Sequence, residues 1–211
     1  MEDILWPPDK HTLGVCFLNG KAWERDTVRW AVEDHYNTVP MRIKFVFPAD
    51  CSVDGSDIRV CFSTPEAPTG SQCRDGRFAA AHPGEATLFL NMDYRRDIAN
   101  PQERRLKRQG DILHEFGHAL GMSHDHQHPD CPFEWDKEFL LRATGIDARS
   151  LHFNIHRNLP STAWRGPYDP KSIMHNEVIP EAVVGRNTRV PHPTVLSDGN
   201  KRFLAAAYPL S

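Results

Sequence analysis

No stretch of this 211-residue chain strings together the roughly 18 apolar residues that a membrane-spanning helix needs. Charge of one sign is also missing: 25 Lys and Arg stand against 28 Asp and Glu. Nucleic acid and other polyanions are therefore not expected partners. Cysteine is sparse, with five residues, and no Cys-x-x-Cys pair competes for a metal. The opening Met-Glu-Asp-Ile-Leu-Trp-Pro-Pro is acidic and lacks the apolar core of a secretory signal. Localisation stays open: secreted if a leader has been removed, intracellular otherwise. A hydrophobic share of 39% with 25% charged residues excludes a disordered chain, and the length suits one domain spanning 1–211.

The cysteines leave their pairing undecided. Cys16 and Cys61 fall in strand-like runs and read as buried free thiols. Cys51, Cys73 and Cys131 lie in loop-like sequence, where two of them can form a disulfide in an oxidising compartment.

Hydrophobic periodicity gives the frame. Leu13 to Leu18, Met41 to Phe47, Asp57 to Phe62 and Thr87 to Asn91 read as strands, and Ala22 to Asn37 as an amphipathic helix. Strand, helix, strand in that order favours a mainly parallel sheet. A helix is predicted from about Pro101 to Gly121, although Gly110 weakens it. Further helices are expected over Trp135 to Ala143, ended by Gly145, and from a Ser197 cap to about Ala207. The half before residue 121 thus carries sheet and helices, whereas 122–211 is rich in loops.

Histidine is the residue in excess, with twelve copies. Residues 114 to 124 read His-Glu-Phe-Gly-His-Ala-Leu-Gly-Met-Ser-His. Four helical residues turn through about 400°, so His114 and His118 share a face and can offer two imidazoles to one ion. Glu115 points about 100° away, beside the ion rather than on it. Gly121 is placed to end the helix in a left-handed turn that returns His124 as third ligand. Three protein ligands and an open position describe catalytic zinc. At this composition a bare His-Glu-x-x-His arises by chance in about one such chain in thirty; adding Gly121 and His124 lowers that to roughly one in ten thousand. Downstream, Tyr168-Asp-Pro-Lys-Ser-Ile-Met174-His-Asn has the form of a methionine turn beneath such a site.

With these residues in place, the chain resembles the metzincin zinc peptidases, above all the astacin-like proteases of microbial type, with some matrixin character. The likeness takes in Leu5-Trp6-Pro7, Ser56 to Val60, the zinc helix running into His124 to Pro129, Trp135-Asp136, the Met174 turn and the closing Leu196-Ser197 to Tyr208-Pro209. It implies an α+β fold with a mixed five-stranded twisted sheet above a cleft and one catalytic zinc; calcium is not supported. It also implies an extended peptide or protein substrate and a monomeric enzyme. By the same likeness Arg77, Phe78, Ala79, Ala80 and Ala81 form the antiparallel edge strand that pairs with substrate.

Two departures stand out. Astacins carry a tyrosine two residues after the turn methionine, where this chain has Asn176, a candidate oxyanion donor. After the third histidine, Asp125 stands where Glu is usual, and a buried partner is expected for it. His175 reads as support for the site or as a cleft wall. His126 and His128 read as loop residues rather than a second metal site. Asp54, Asp57, Asp75 and Asp93 are scattered carboxylates without calcium-loop spacing. The functional expectation is a zinc endopeptidase with Glu115 as general base and acid. The alternative is a zinc-containing peptide-binding module of the same fold that no longer cuts, or cuts one specialised partner.

Overall fold

The computed structural model describes residues 4–210 apart from 50–51, 53–54, 65–70, 94–95, 153–154 and 156–165. Cys51 and Asp54 therefore lie outside the described residues. Five strands form one mixed sheet: β1 (Thr12–Phe17), β2 (Lys44–Val46), β3 (Ile58–Phe62), β4 (Gln72–Cys73) and β5 (Leu88–Leu90). Their order is β2-β1-β3-β5-β4. The pairs β1–β2, β1–β3 and β3–β5 are parallel, and β4 alone runs antiparallel, against β5. Leu13, Val15, Phe45, Ile58, Val60, Leu88 and Leu90 are all buried, as expected for strands covered by helices.

Helix α1 (Ala22–His35) links β1 to β2 and buries Val28, Ala31 and Val32. Helix α2 (Pro101–Ala119) packs beside it and buries Ile112, Leu113 and Phe116. Asn100 caps α2 by accepting from the N–H groups of Gln102 and Glu103, and Pro101 occupies the first turn, where its missing donor costs nothing. Gly110 does not interrupt the helix. A side chain there would collide with the Pro193 carbonyl, so this glycine lets the C-terminal loop lie against α2.

The far end of α2 is closed in several ways. Gly121 sits at φ +78, its N–H bonded to the His118 carbonyl and the Met122 N–H to the Gly117 carbonyl, the Schellman pattern. Trp6 Nε1 donates to the Ala119 carbonyl at 2.8 Å and the Tyr208 hydroxyl to the Leu120 carbonyl at 2.9 Å. Chain segments from both ends of the sequence thus satisfy carbonyls that the helix end would leave orphaned.

The second half contains α3 (Lys137–Thr144), α4 (Ala148–Leu151) and α5 (Asp198–Ala207). Asp136 caps α3 and left-handed Gly145 ends it, and Ser197 caps α5 by accepting from the Asn200 N–H. Trp135, Leu140, Leu151, Val178, Ala182, Val183 and Val190 form an apolar cluster of their own.

Two expectations are corrected here. Residues 76–81 are not an edge strand but a 3-10 helix, Gly76–Ala81. The cause is Arg59, 2% exposed, whose guanidinium donates to the carbonyls of Ala79 and His82 at 3.0 and 2.7 Å. A curled backbone brings those two carbonyls to one cation, which an extended strand would not. The antiparallel edge strand is instead β4. Cys16, expected as a free thiol, is disulfide-bonded, while Cys61, Cys73 and Cys131 are free.

Candidate metal centre

α2 presents His114, Glu115 and His118, and the turn at Gly121 returns His124. His124 Nε2 lies 3.1 Å from His114 Nε2 and 3.1 Å from His118 Nε2. The opposite nitrogens fix the tautomers. His114 Nδ1 faces the Ile173 carbonyl at 2.9 Å and His118 Nδ1 faces the Met122 carbonyl at 2.9 Å; a carbonyl only accepts, so each Nδ1 carries the proton. Both Nε2 lone pairs then point at a third imidazole nitrogen. Lone pairs that converge in this way repel one another unless a cation stands between them. Three nitrogens about 2.0 Å from one tetrahedral zinc would lie about 3.3 Å apart, close to the spacing observed. Among the described residues these three form the one group of His, Cys, Asp or Glu side chains able to hold a metal, and they are a site for a single zinc ion.

Glu115 fits the same centre. It is 6% exposed, and its Oε2 is buried without a hydrogen-bond partner. Burial pushes its carboxyl up to about 7, opposed by His118 and reinforced by Asp111 and Asp75. A buried carboxylate with an unused oxygen beside a cation site can accept a proton there. His114 is lowered to about 3 and His124 well below its usual value, chiefly by burial and then by the neighbouring imidazoles. For His118 burial lowers the value, but Asp75 and Glu115 outweigh it and the net shift is upward.

These shifts give a pH dependence. Below about pH 7 Glu115 holds its proton in the metal-free protein. The upward shift of His118 makes it the ligand that keeps its proton longest as pH rises, whereas His114 and His124 shift downward. Zinc must displace the proton on His118, so its affinity falls as pH drops. Loading in mildly acid solution is expected to release protons. Calorimetry in buffers of different ionisation enthalpy counts them, and a count near zero would contradict these assignments.

The segment around Met174 packs against the helix at Gly117. Met174 is fully buried, and its sulfur occupies the space a side chain at position 117 would need. The Ile173 carbonyl accepts from His114, and the Met174 carbonyl accepts from the Asp125 N–H at 3.1 Å. The turn is itself held from α5: Asn200 Oδ1 accepts from the Ile173 N–H at 2.8 Å while its Nδ2 donates to Ser172 Oγ at 2.7 Å. Gly117→Ala is therefore expected to displace Met174 and cost about 1–3 kcal/mol of stability, read from chemical denaturation. An unchanged midpoint would show the turn to be looser than its packing indicates.

The remaining candidates fall behind the third ligand. His126 and His128 are buried, at 2% and 8% exposure, around a short 3-10 turn, Asp125–Gln127. The rings of His124 and His126 lie 4.8 Å apart. His128 Nε2 donates to the Gly166 carbonyl at 3.0 Å and its Nδ1 accepts from the Asp130 N–H. His175, 1% exposed, is interior rather than cleft wall: its Nδ1 donates to the Asn176 carbonyl and its Nε2 accepts from the Tyr168 hydroxyl at 3.0 Å. Asn176 donates its N–H to His126 Nδ1 at 3.4 Å. Asp125 has the buried partner expected of it, the Ser172 hydroxyl, and burial raises its carboxyl to about 6 despite that bond. A cavity of about 290 Å³ adjoins His124, Asp125, Asp169 and Arg202 but is lined by none of His114, Glu115 and His118. Sequence reasoning passed over Asn200 and Asp75; the latter's Oδ1 lies 3.3 Å from His118 Nδ1.

By sequence, no protein-family model and no curated protein matches this chain. Solved structures do. A structure of myroilysin superposes with a TM-score of 0.82 at 25% identity, over 99% of this chain and 97% of that one. A crystal structure of myroilysin gives 0.67 at 25% identity, over 98% and 86%. High choriolytic enzyme 1, a hatching-enzyme zinc-protease of the medaka Oryzias latipes, gives 0.60 at 20% identity, over 100% and 96%; that likeness speaks for the fold.

Proposed function

We infer that this chain, an astacin-like metzincin and zinc metalloendopeptidase, hydrolyses internal peptide bonds with Glu115 as the group that moves the proton. The observation that carries the reading is the orphaned Glu115 Oε2 beside three converging imidazole nitrogens. A chain that only held zinc would have no physical need to bury an unpaired carboxylate there. Zinc bound at His114, His118 and His124 supplies a Lewis acid that acidifies water and polarises the scissile carbonyl. Glu115 accepts the proton that the attacking water gives up and returns it to the departing amine. Its upward-shifted carboxyl suits a group that must take and then surrender a proton near neutrality.

Substrate would bind extended along β4. This strand pairs with β5 on one side only, through Gln72 with Phe89 and Cys73 with Leu88, and it ends the sheet. Strand addition on its other edge would run a peptide past the end of α2. Asn176 remains the candidate that replaces the astacin tyrosine at the oxyanion. Among the described residues no helix is long and apolar enough to cross a membrane, and the Cys16 disulfide suits an oxidising compartment.

A peptide-library digest with and without a zinc chelator tests the reading. Internal cleavages that vanish with chelator and return with zinc are expected. Cleavage indifferent to the chelator would overturn the metal's role, and zinc-loaded protein that cuts nothing would favour the binding-module alternative.

A further inference from the structure

Asp75 stands between β4 and the 3-10 helix that follows, yet its side chain makes no capping bond to that helix. Its Oδ1 lies instead 3.3 Å from His118 Nδ1, the nitrogen already shared with the Met122 carbonyl at 2.9 Å. We propose that Asp75 is a positioning residue for the metal: its carboxylate accepts from His118 Nδ1–H, holds the ring plane and strengthens the donation of Nε2 to zinc.

The loop is built to keep the carboxylate there. Gly76 is at φ +49, and a side chain on it would collide with the Ile4 carbonyl, which accepts from the Arg77 N–H at 3.0 Å. On the far side Arg59 grips Ala79 and His82. The nearest cation in sequence, Arg74, is engaged by Glu85 at 3.3 Å. A carboxylate behind a ligating imidazole orients the ring and makes its opposite nitrogen a better donor, and such partners are typically worth 10–100-fold in metal affinity. Half exposure of the Asp75 side chain places the expected effect at the lower end of that span. The arrangement also ties the strand proposed to hold substrate to one of the metal's own ligands.

The inference rests on the zinc-site reading, and the test separates the two. Zinc affinity is measured by competition with a chromophoric chelator, together with the melting temperature of the zinc-free protein. Asp75→Ala is expected to bind zinc about 10-fold more weakly, Asp75→Glu to recover part of the loss, and Glu33→Ala, which removes an exposed carboxylate on α1, to match the parent. The zinc-free melting temperatures of all four should coincide. Parental affinity in Asp75→Ala, or a loss matched by an equal fall in zinc-free stability, would overturn the positioning role. A parent that binds no zinc would overturn the zinc reading and this inference with it.

Discussion

Glu115→Gln is expected to lower peptide turnover by about 10²–10⁴-fold while the protein keeps its zinc. Glutamine fills the same buried slot and leaves the three imidazoles where they are, but its amide cannot take a proton. The burial that raises this carboxyl also keeps an outside base from taking its position. Turnover of a fluorogenic peptide and zinc content by atomic absorption, measured on the same sample, give the two halves of the prediction. Turnover within 10-fold of the parent would show that the proton moves by another route. Loss of zinc along with activity would make Glu115 part of the metal's hold.

The other large effect concerns the ligands. His124→Ala is expected to abolish turnover at stoichiometric zinc and to weaken zinc binding by more than the 10–100-fold typical of an outer partner. His124 is the common member of both 3.1 Å nitrogen contacts, so removing it leaves two donors on one helix face. The zinc-free protein should tolerate the change, because the substitution relieves three lone pairs of their mutual repulsion. The parent's melting temperature should rise on zinc addition and the variant's should not. An equal rise in both proteins would place the metal elsewhere.

What could be read from the sequence is what is local in it. The zinc helix announces itself at both ends, with Pro101 at its start and Gly121 at its stop, and its ligand spacing follows from helical geometry alone. His124 was legible because a left-handed glycine at 121 turns the chain back just past the helix, and the Schellman bonds fix that turn. The alternating strands, the Ser197 cap and the Gly145 stop were legible for the same reason.

What stayed hidden depends on partners distant in the chain. The edge strand was misplaced because the resemblance, not the residues, suggested it: the three alanines of Arg77 to Ala81 disfavour a strand, and the buried guanidinium of Arg59 decides their path. Asp75 resembled any loop carboxylate until folding set it behind His118. Asn200 drew no notice beside the Ser197 cap, and nothing nearby told of its grip on the methionine turn. His175 was weighed between two surroundings, and the Tyr168 hydroxyl together with the Asn176 carbonyl fixes it in the interior.

The central claim is that one zinc ion at His114, His118 and His124 makes this chain an endopeptidase. A zinc titration of the metal-free protein, followed by cleavage of an internally quenched peptide, tests it most directly. The account predicts activity that rises in proportion to added zinc, breaks at about one equivalent per chain, and yields products cut at an internal bond. Activity already present before zinc is added, or none at saturation, would contradict it.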